Sequence, residues 1–300
     1  IEAAAESPGG CPPVAITSLG LSGGTARVAG GTSSQFASGL AMAAPCTRDG
    51  MTIEFTGRLV SLPYLDMTRR VMESFGGSCE AVDDRTWRIA PTGYRGRRYA
   101  IEPDASAASY FAAAAAITGG SVRIEGLGRS SMQGDIAFCD ALGRMGSTVE
   151  WHGGPDEAVT VSGHATTGID IDMNAISDTV PTLAVVALFA SGPTTIRNVA
   201  HIRDKETDRI GDLATELRKL GATVDERADG LTIHPAPLHG AEIATYDDHR
   251  MAMSIALAGL RVGGVRIVDP ACVGKTFPRY WERLSAIAGI DLSDYPRSSP

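Results

Sequence analysis

The strongest constraint on this chain is an internal repeat, because a unit that recurs must bury its apolar face against its own copies. Four segments share one order: a polar cluster, an Ala-rich apolar stretch, a Gly or small-residue turn and an alternating strand. The polar clusters are Thr32 to Gln35, Asp104 to Ser106, Asp178 with Thr179, and Asp248 to Arg250. They start about 70 residues apart, a longer period than most solenoid repeats have. The stretches FASGLAMAA, ASYFAAAAAI, VPTLAVVALFA and MAMSIALAGL follow them. A second half recurs as well, an amphipathic helix ending near a glycine and then two short strands. The spacing predicts such helices at Tyr64 to Phe75 before Gly76, Met132 to Met145 before Gly146, and Glu206 to Leu220 before Gly221. In the last, Leu213, Leu217 and Leu220 fall at i, i+4 and i+7, one helical face. Glycine suits the left-handed residue that closes a helix. ATVDER and LTIHP, on either side of Ala228-Asp229-Gly230, read as a hairpin. The unit is helix, strand, helix, strand, strand, and one preceding strand completes it as βαβαββ. An α/β fold follows.

Each polar cluster opens a nearly wholly apolar helix. The free N–H groups and the dipole of such an end favour an anion. The chain carries a net charge of −8, which argues against general nucleic-acid binding and requires any anion site to be basic locally. No run of 18 apolar residues occurs, so no membrane span is expected. The five cysteines, Cys11, Cys46, Cys79, Cys139 and Cys272, are scattered without a CxxC pair. That pattern fits reduced thiols in the cytoplasm and neither a disulfide frame nor a zinc site. No cluster has metal-ligand spacing. The Ala-, Ser- and Gly-rich start, beginning at Ile1, is not a signal peptide and reads as an interior cut or a processed end. The polar tail from Asp291 to Pro300 is expected to fray.

The stretch from His201 to Arg209 packs seven ionisable side chains into nine residues. Such runs are usually solvated helix starts. Lys205 and Arg209, four apart, would share a helical face and point at one ligand, and Glu206 beside them could exchange a proton. Arg250 offers a fixed fork of donors for phosphate or carboxylate. Lys275, in Gly274-Lys275-Thr276, looks like the tail of a P-loop, but the upstream glycine spacing is wrong and nucleotide triphosphate hydrolysis is rejected. Ser33, Ser34 and Gln35, and likewise Ser61 with Tyr64, sit at helix starts as caps or as donors to a ligand. Asp178 is either a helix cap or a base.

The stretches SSQF (Ser33 to Phe36), LVSLPYLD (Leu59 to Asp66), DASAASYFAAAAA (Asp104 to Ala116), GRSSMQGD (Gly128 to Asp135), KETDRI (Lys205 to Ile210), EIATYDDHRMAM (Glu242 to Met253) and KTFPRYW (Lys275 to Trp281) occur in that order. From about Cys11 to its end the chain thereby resembles the 5-enolpyruvylshikimate-3-phosphate synthase family. UDP-N-acetylglucosamine enolpyruvyl transferases share the repeat and form the alternative. The resemblance implies an inside-out α/β barrel of βαβαββ units in two globules. Residues 1–102 would be the remainder of an incomplete N-terminal globule, and residues 103–300 the C-terminal globule. It also implies transfer of the enolpyruvyl group of phosphoenolpyruvate to the 5-hydroxyl of shikimate 3-phosphate, with release of phosphate and no cofactor. Asp178 would take the hydroxyl proton and Glu206 would serve the methylene carbon. Ser33, Ser34, Gln35, Ser61, Tyr64, Asp178, His201 and Lys205 would hold shikimate 3-phosphate, although His201 stands where many members have Asn. Gln35, Arg209, Arg250 and Lys275 would hold phosphoenolpyruvate. The family's N-terminal Lys-Ser motif, its Gly-rich loop and a further arginine have no counterpart in the chain. Activity is therefore expected only when that segment is supplied, and a non-catalytic, substrate-binding remnant is the other reading.

Overall fold

The computed structural model describes residues 2–31, 34–57, 59 and 62–290. The chain divides into two compact units, Ile1–Ala100 and Ile101–Pro300.

The first unit opens with an antiparallel pair, β1 (Glu2–Ala5) and β2 (Val14–Thr17). One complete repeat follows: β3 (Gly24–Ala29), α1 (Ser34–Ala43), β4 (Met51–Thr56), α2 (Leu62–Ser74), β5 (Ser78–Asp83) and β6 (Thr86–Ala90). The strand order is β3-β4-β6-β5, with β3 parallel to β4 and the remaining pairs antiparallel. The preceding strand that the repeat demanded is thus present as β3. Alternation along β4 buries Met51, Ile53 and Phe55 against Ala37, Ala41, Leu65 and Met72 of the two helices. Phe55 meets Trp87 edge to face at 5.4 Å.

The second unit holds three related segments. The first runs α3 (Ala105–Thr118), β7 (Ser121–Glu125), α4 (Phe138–Arg144), β8 (Thr148–His152) and β9 (Ala158–Ser162), in a sheet of order β7-β9-β8. The second is a full repeat: β10 (Asp170–Asp172), α5 (Val180–Ala187), β11 (Thr194–Arg197), α6 (Gly211–Lys219), β12 (Thr223–Arg227) and β13 (Gly230–His234). Its sheet, β10-β11-β13-β12, repeats the topology of the first unit. The third comprises β14 (Glu242–Ile243), α7 (His249–Ala256), β15 (Arg266–Ile267) and α8 (Tyr280–Ala288), with β14 parallel to β15.

Helices α3, α5 and α7 pack together as the centre of this unit. All eight residues of α5 are buried, as expected of a helix apolar on every side. The alanines of α3 let neighbouring backbones approach closely. Three hydroxyls cross the packed helices, Ser109 to Thr182 at 3.3 Å and Thr182 to Ser254 at 3.1 Å, so their polar atoms are not left unpaired in the core.

Two helix boundaries correct the sequence reading. The helix expected from Glu206 begins at Gly211, because the Asp208 carboxylate accepts the amides of Ile210 and Gly211 at 3.1 and 3.0 Å and holds the residues before it in a turn. Lys205 and Arg209 therefore do not lie on a common helical face. The helix expected from Met132 is a 3₁₀ turn, Gly134–Ala137, followed by the seven-residue α4.

Candidate active site

The charge run divides between structure and site. Arg203 ties Asp208 at 2.6 Å and Glu226 at 2.9 Å and donates to the carbonyls of Ala228 and Arg227. It is the solvated helix start that charge runs usually are. Arg209 differs: its amide donates to the Ile202 carbonyl at 3.3 Å, and its side chain is 1% exposed. That fold of the backbone carries a guanidinium into the interior, where it needs carboxylate partners.

Three carboxylates supply them. Asp248 accepts Nε of Arg209 at 2.7 Å and Nη2 at 3.2 Å, Glu206 accepts Nη2 at 2.6 Å, and Asp178 accepts Nη1 at 3.3 Å. Arg250, 14% exposed, reaches the other oxygen of Asp178 at 2.8 Å. Lys275, 55% exposed, reaches the other oxygen of Glu206 at 2.6 Å. Arg209, Arg250 and Lys275 are thus members of one continuous ionic network, joined through Asp178 and Glu206. Lys205 adds a fourth positive charge acting on Asp178. Four cations then face three carboxylates, a local positive excess inside a chain of net charge −8.

The elements explain the convergence. Asp178 lies in the 3₁₀ segment Asn174–Thr179 leading into α5. Thr179 holds the N-cap position, and no side chain caps the helix. Asp178 therefore spends its oxygens on arginines, which excludes the cap reading. Arg250 sits in the first turn of α7, whose N-cap is Asp248, with Oδ1 accepting the Arg250 amide at 2.8 Å. Lys275 ends the 3₁₀ segment Pro270–Lys275. His201 is buried in the 3₁₀ segment Ala200–Asp204, and Lys205 is its C-terminal cap residue.

Electrostatics hold both acid/base candidates ionised. Burial alone would raise the Glu206 carboxyl, but the Lys275 hydrogen bond and the Arg209 charge outweigh it and bring it from 4.5 down to about 2. Burial also opposes ionisation of Asp178, and Arg250, Lys205 and Arg209 reverse the balance, leaving its carboxyl below the usual range. Next to Arg250, His249 is buried, which together with the Arg250 charge pushes its imidazole pKa down.

In the first unit, Ser34 and Gln35 start α1, and Tyr64 lies in the first turn of α2. The two helices are joined by the Ser38–Thr68 hydroxyl contact at 2.8 Å. Ser33 and Ser61 lie outside the described residues. A cavity of about 750 Å³ in this unit, lined by Phe55, Leu62, Asp83, Arg85 and Trp87 among others, contains no member of the ionic network. Its charged lining is net acidic, Asp66, Asp83 and Asp84 against Arg69 and Arg85, and Arg69 is already paired with Asp66, which disfavours an anion there. Among the described residues no group of His, Cys, Asp and Glu is arranged to hold a metal ion, and no helix is long and apolar enough to cross a membrane.

Sequence reasoning singled out the cations but missed Asp248, the carboxylate between two of them. Its available signal was an Asp one residue before His249-Arg250, at the start of an apolar helix, the place where caps occur.

Comparison with known proteins shows the family of the chain. The family model described as EPSP synthase (3-phosphoshikimate 1-carboxyvinyltransferase) matches residues 1–284. The 3-phosphoshikimate 1-carboxyvinyltransferase of Nostoc punctiforme is 48% identical over 281 residues, covering 93% of this chain and 65% of the relative. That of Shewanella pealeana is 44% identical over 286 residues, covering 93% and 66%. The chain thus spans just under two thirds of the length of these relatives. Among solved structures, an EPSP synthase from Acinetobacter baumannii superposes with a TM-score of 0.75 at 27% identity, covering 96% of this chain and 67% of that one. The enolpyruvyl transferase NikO from Streptomyces tendae, at 22% identity and a TM-score of 0.69, covers 93% and 66% and shares the fold. The repeated βαβαββ topology, the seven ordered motifs and these matches place the chain in the EPSP synthase family.

Proposed function

We propose that this chain carries the larger part of a site that transfers the enolpyruvyl group of phosphoenolpyruvate to the 5-hydroxyl of shikimate 3-phosphate. The observation that carries the reading is the network itself: two ionised carboxylates, Asp178 and Glu206, held between Arg209, Arg250 and Lys275. Addition of the hydroxyl oxygen to the enol carbon needs a base at the hydroxyl and an acid at the methylene carbon. Elimination of phosphate then returns a proton from the new methyl group. Asp178, kept ionised by Arg250, suits the first task. Glu206 suits the second through a change of partners. An incoming phosphate or carboxylate replaces it on Lys275 and Arg209, removing what holds its carboxyl near 2. Its pKa then rises towards the range in which it delivers a proton.

Arg209, Arg250 and Lys275 take phosphoenolpyruvate in this reading, with Gln35 touching both ligands. Ser33, Ser34, Gln35, Ser61, Tyr64, His201, Lys205 and Asp178 take shikimate 3-phosphate. Residues 1–102 belong to one globule and residues 103–300 to the other. The five cysteines are all free, which suits a cytoplasmic enzyme. The site is completed by the segment that the longer relatives carry and this chain does not match.

Phosphate release tests the reading. This chain, mixed with the N-terminal third of a relative, is expected to turn over both substrates, and the Arg250→Ala variant to lose at least tenfold in kcat/KM, the scale of one charge-assisted contact. Two folded pieces that bind phosphoenolpyruvate but release no phosphate would leave a binding remnant. Turnover with UDP-N-acetylglucosamine in place of shikimate 3-phosphate would move the chain to the related transferases.

A further inference from the structure

Glu216, on α6, is a fully buried carboxylate that the chemistry above does not use. It accepts the Lys219 ammonium at 2.8 and 2.9 Å, the Ala244 amide at 3.0 Å and the Tyr246 hydroxyl at 2.6 Å. Two of these partners flank Thr245 in the segment leading to α7. The backbone there is unusual: Tyr246 and Asp247 have φ of 55 and 56°, consecutive left-handed residues, neither of them glycine. Side chains disfavour that region, and it persists only where the surroundings impose it. The Asp248 amide closes the turn on the Thr245 carbonyl at 2.8 Å.

What leaves this turn is Asp248, which grips Arg209 by two nitrogens and caps the helix carrying Arg250. The helix that Asp248 caps packs against the 3₁₀ segment that ends in Lys275. The elements bearing Arg209 and Arg250 therefore meet at Asp248, and Glu216 fixes the segment leading into it to α6.

We propose that Glu216 is a positioning residue. By clamping Ala244 and Tyr246 it imposes the left-handed turn, and through Asp248 it sets the relative placement of Arg209 and Arg250 for an anionic ligand. The proposal rests on the reading of those arginines as the phosphoenolpyruvate site. The Tyr246→Phe variant removes one clamp bond without opening a cavity, and Glu216→Gln keeps the acceptor shape while losing the charge.

The test uses the 300-residue chain, its variants and two readouts. Calorimetry with phosphoenolpyruvate and, separately, shikimate 3-phosphate is expected to show about tenfold weaker binding of the first in both variants, the scale of one misplaced charge-assisted contact. Binding of the second should stay within about twofold, a split that general destabilisation does not give. Solvent exchange of the Arg209 Nε proton, followed by nitrogen-resolved NMR, is expected to quicken as its bond to Asp248 loosens. Wild-type protein that binds neither substrate overturns the proposed function, and the exchange measurement then still decides the clamp. Folded variants that match the wild type in Arg209 exchange, or that weaken both substrates equally, overturn the role of Glu216.

Discussion

Removing the Asp248 carboxylate should destabilise the second unit more than any exposed ion pair can. Asp248 is wholly buried and serves three donors, two on Arg209 and the Arg250 amide. Asp248→Ala deletes a helix cap, about 1 kcal/mol, and leaves a buried guanidinium without the carboxylate that holds two of its nitrogens, about 3–5 kcal/mol for a fully orphaned charge. Glu206 and Asp178 remain on Arg209, with side chains 27 and 19% exposed, so the charge is only partly orphaned. The expected loss is about 4 kcal/mol in total. Asp248→Asn keeps an acceptor for the cap and should lose about 2 kcal/mol. Glu54→Ala is the control. It breaks the pair with Arg27, whose side chains are 41 and 77% exposed, and should lose under about 1 kcal/mol. Urea unfolding of protein labelled with 5-fluorotryptophan separates Trp87 of the first unit from Trp151 and Trp281 of the second. An Asp248→Ala loss no larger than that of Glu54→Ala, read at Trp281, would refute the argument that this ion pair bears on the fold.

The Glu206 carboxyl lies near 2 in the folded chain against 4.5 ordinarily, so its stabilising contribution is full above about 4.5 and is lost as pH falls through about 2. Carbon NMR of its carboxyl should show that midpoint, and Lys275→Ala should raise it; an unshifted midpoint in the variant would count against Lys275 as the main stabiliser. Gly50→Ala should destabilise the first unit by about 3 kcal/mol, because φ is +77° and the new Cβ would lie 2.6 Å from the Ile89 carbonyl oxygen. Gly39→Ala, in the exposed middle of α1 with open space around it, should instead stabilise by up to about 1 kcal/mol. Fluorine signals of Trp87 report both, and a loss for the second substitution would contradict the accounting.

The repeat was legible because it rests on local signals. Gly76, Gly146 and Gly221 all take positive φ where a helix must stop, and the hairpin at Ala228-Asp229 follows from alternation and turn residues. The start of α6 differs from the expectation for a definite reason: the apolar spacing of Leu213, Leu217 and Leu220 does not mark where the helix begins, and the Asp208 side-chain bonds and the Arg209–Ile202 backbone bond hold the preceding residues in a turn. The site was half legible. Cations could be named from residue type and order. Their pairing could not, since Arg209 reaches Asp248 across 39 residues and Arg250 reaches Asp178 across 72. Nor does any glycine announce the left-handed turn at Tyr246 and Asp247. Tertiary contacts impose it, and local preference argues against it.

That pairing changes how affinity should be reasoned about. Charges of opposite sign 4 Å apart attract by about 4 kcal/mol at an effective dielectric of 20, and three unpaired cations would offer a ligand that much three times over. Carboxylates already engage all three nitrogens of Arg209, one nitrogen of Arg250 and the Lys275 ammonium. An arriving anion therefore exchanges partners, and its net gain is the difference between its contacts and those it displaces. Exposure orders the exchange: Lys275 at 55% is reached first, Arg250 at 14% next, and Arg209 at 1% only after a carboxylate moves. Glu206, shared between Lys275 and Arg209, is the carboxylate that must move first. On the proposed function, the group released by anion binding is thus the one that needs a higher pKa to act as an acid, which would couple binding and proton delivery through a single side chain.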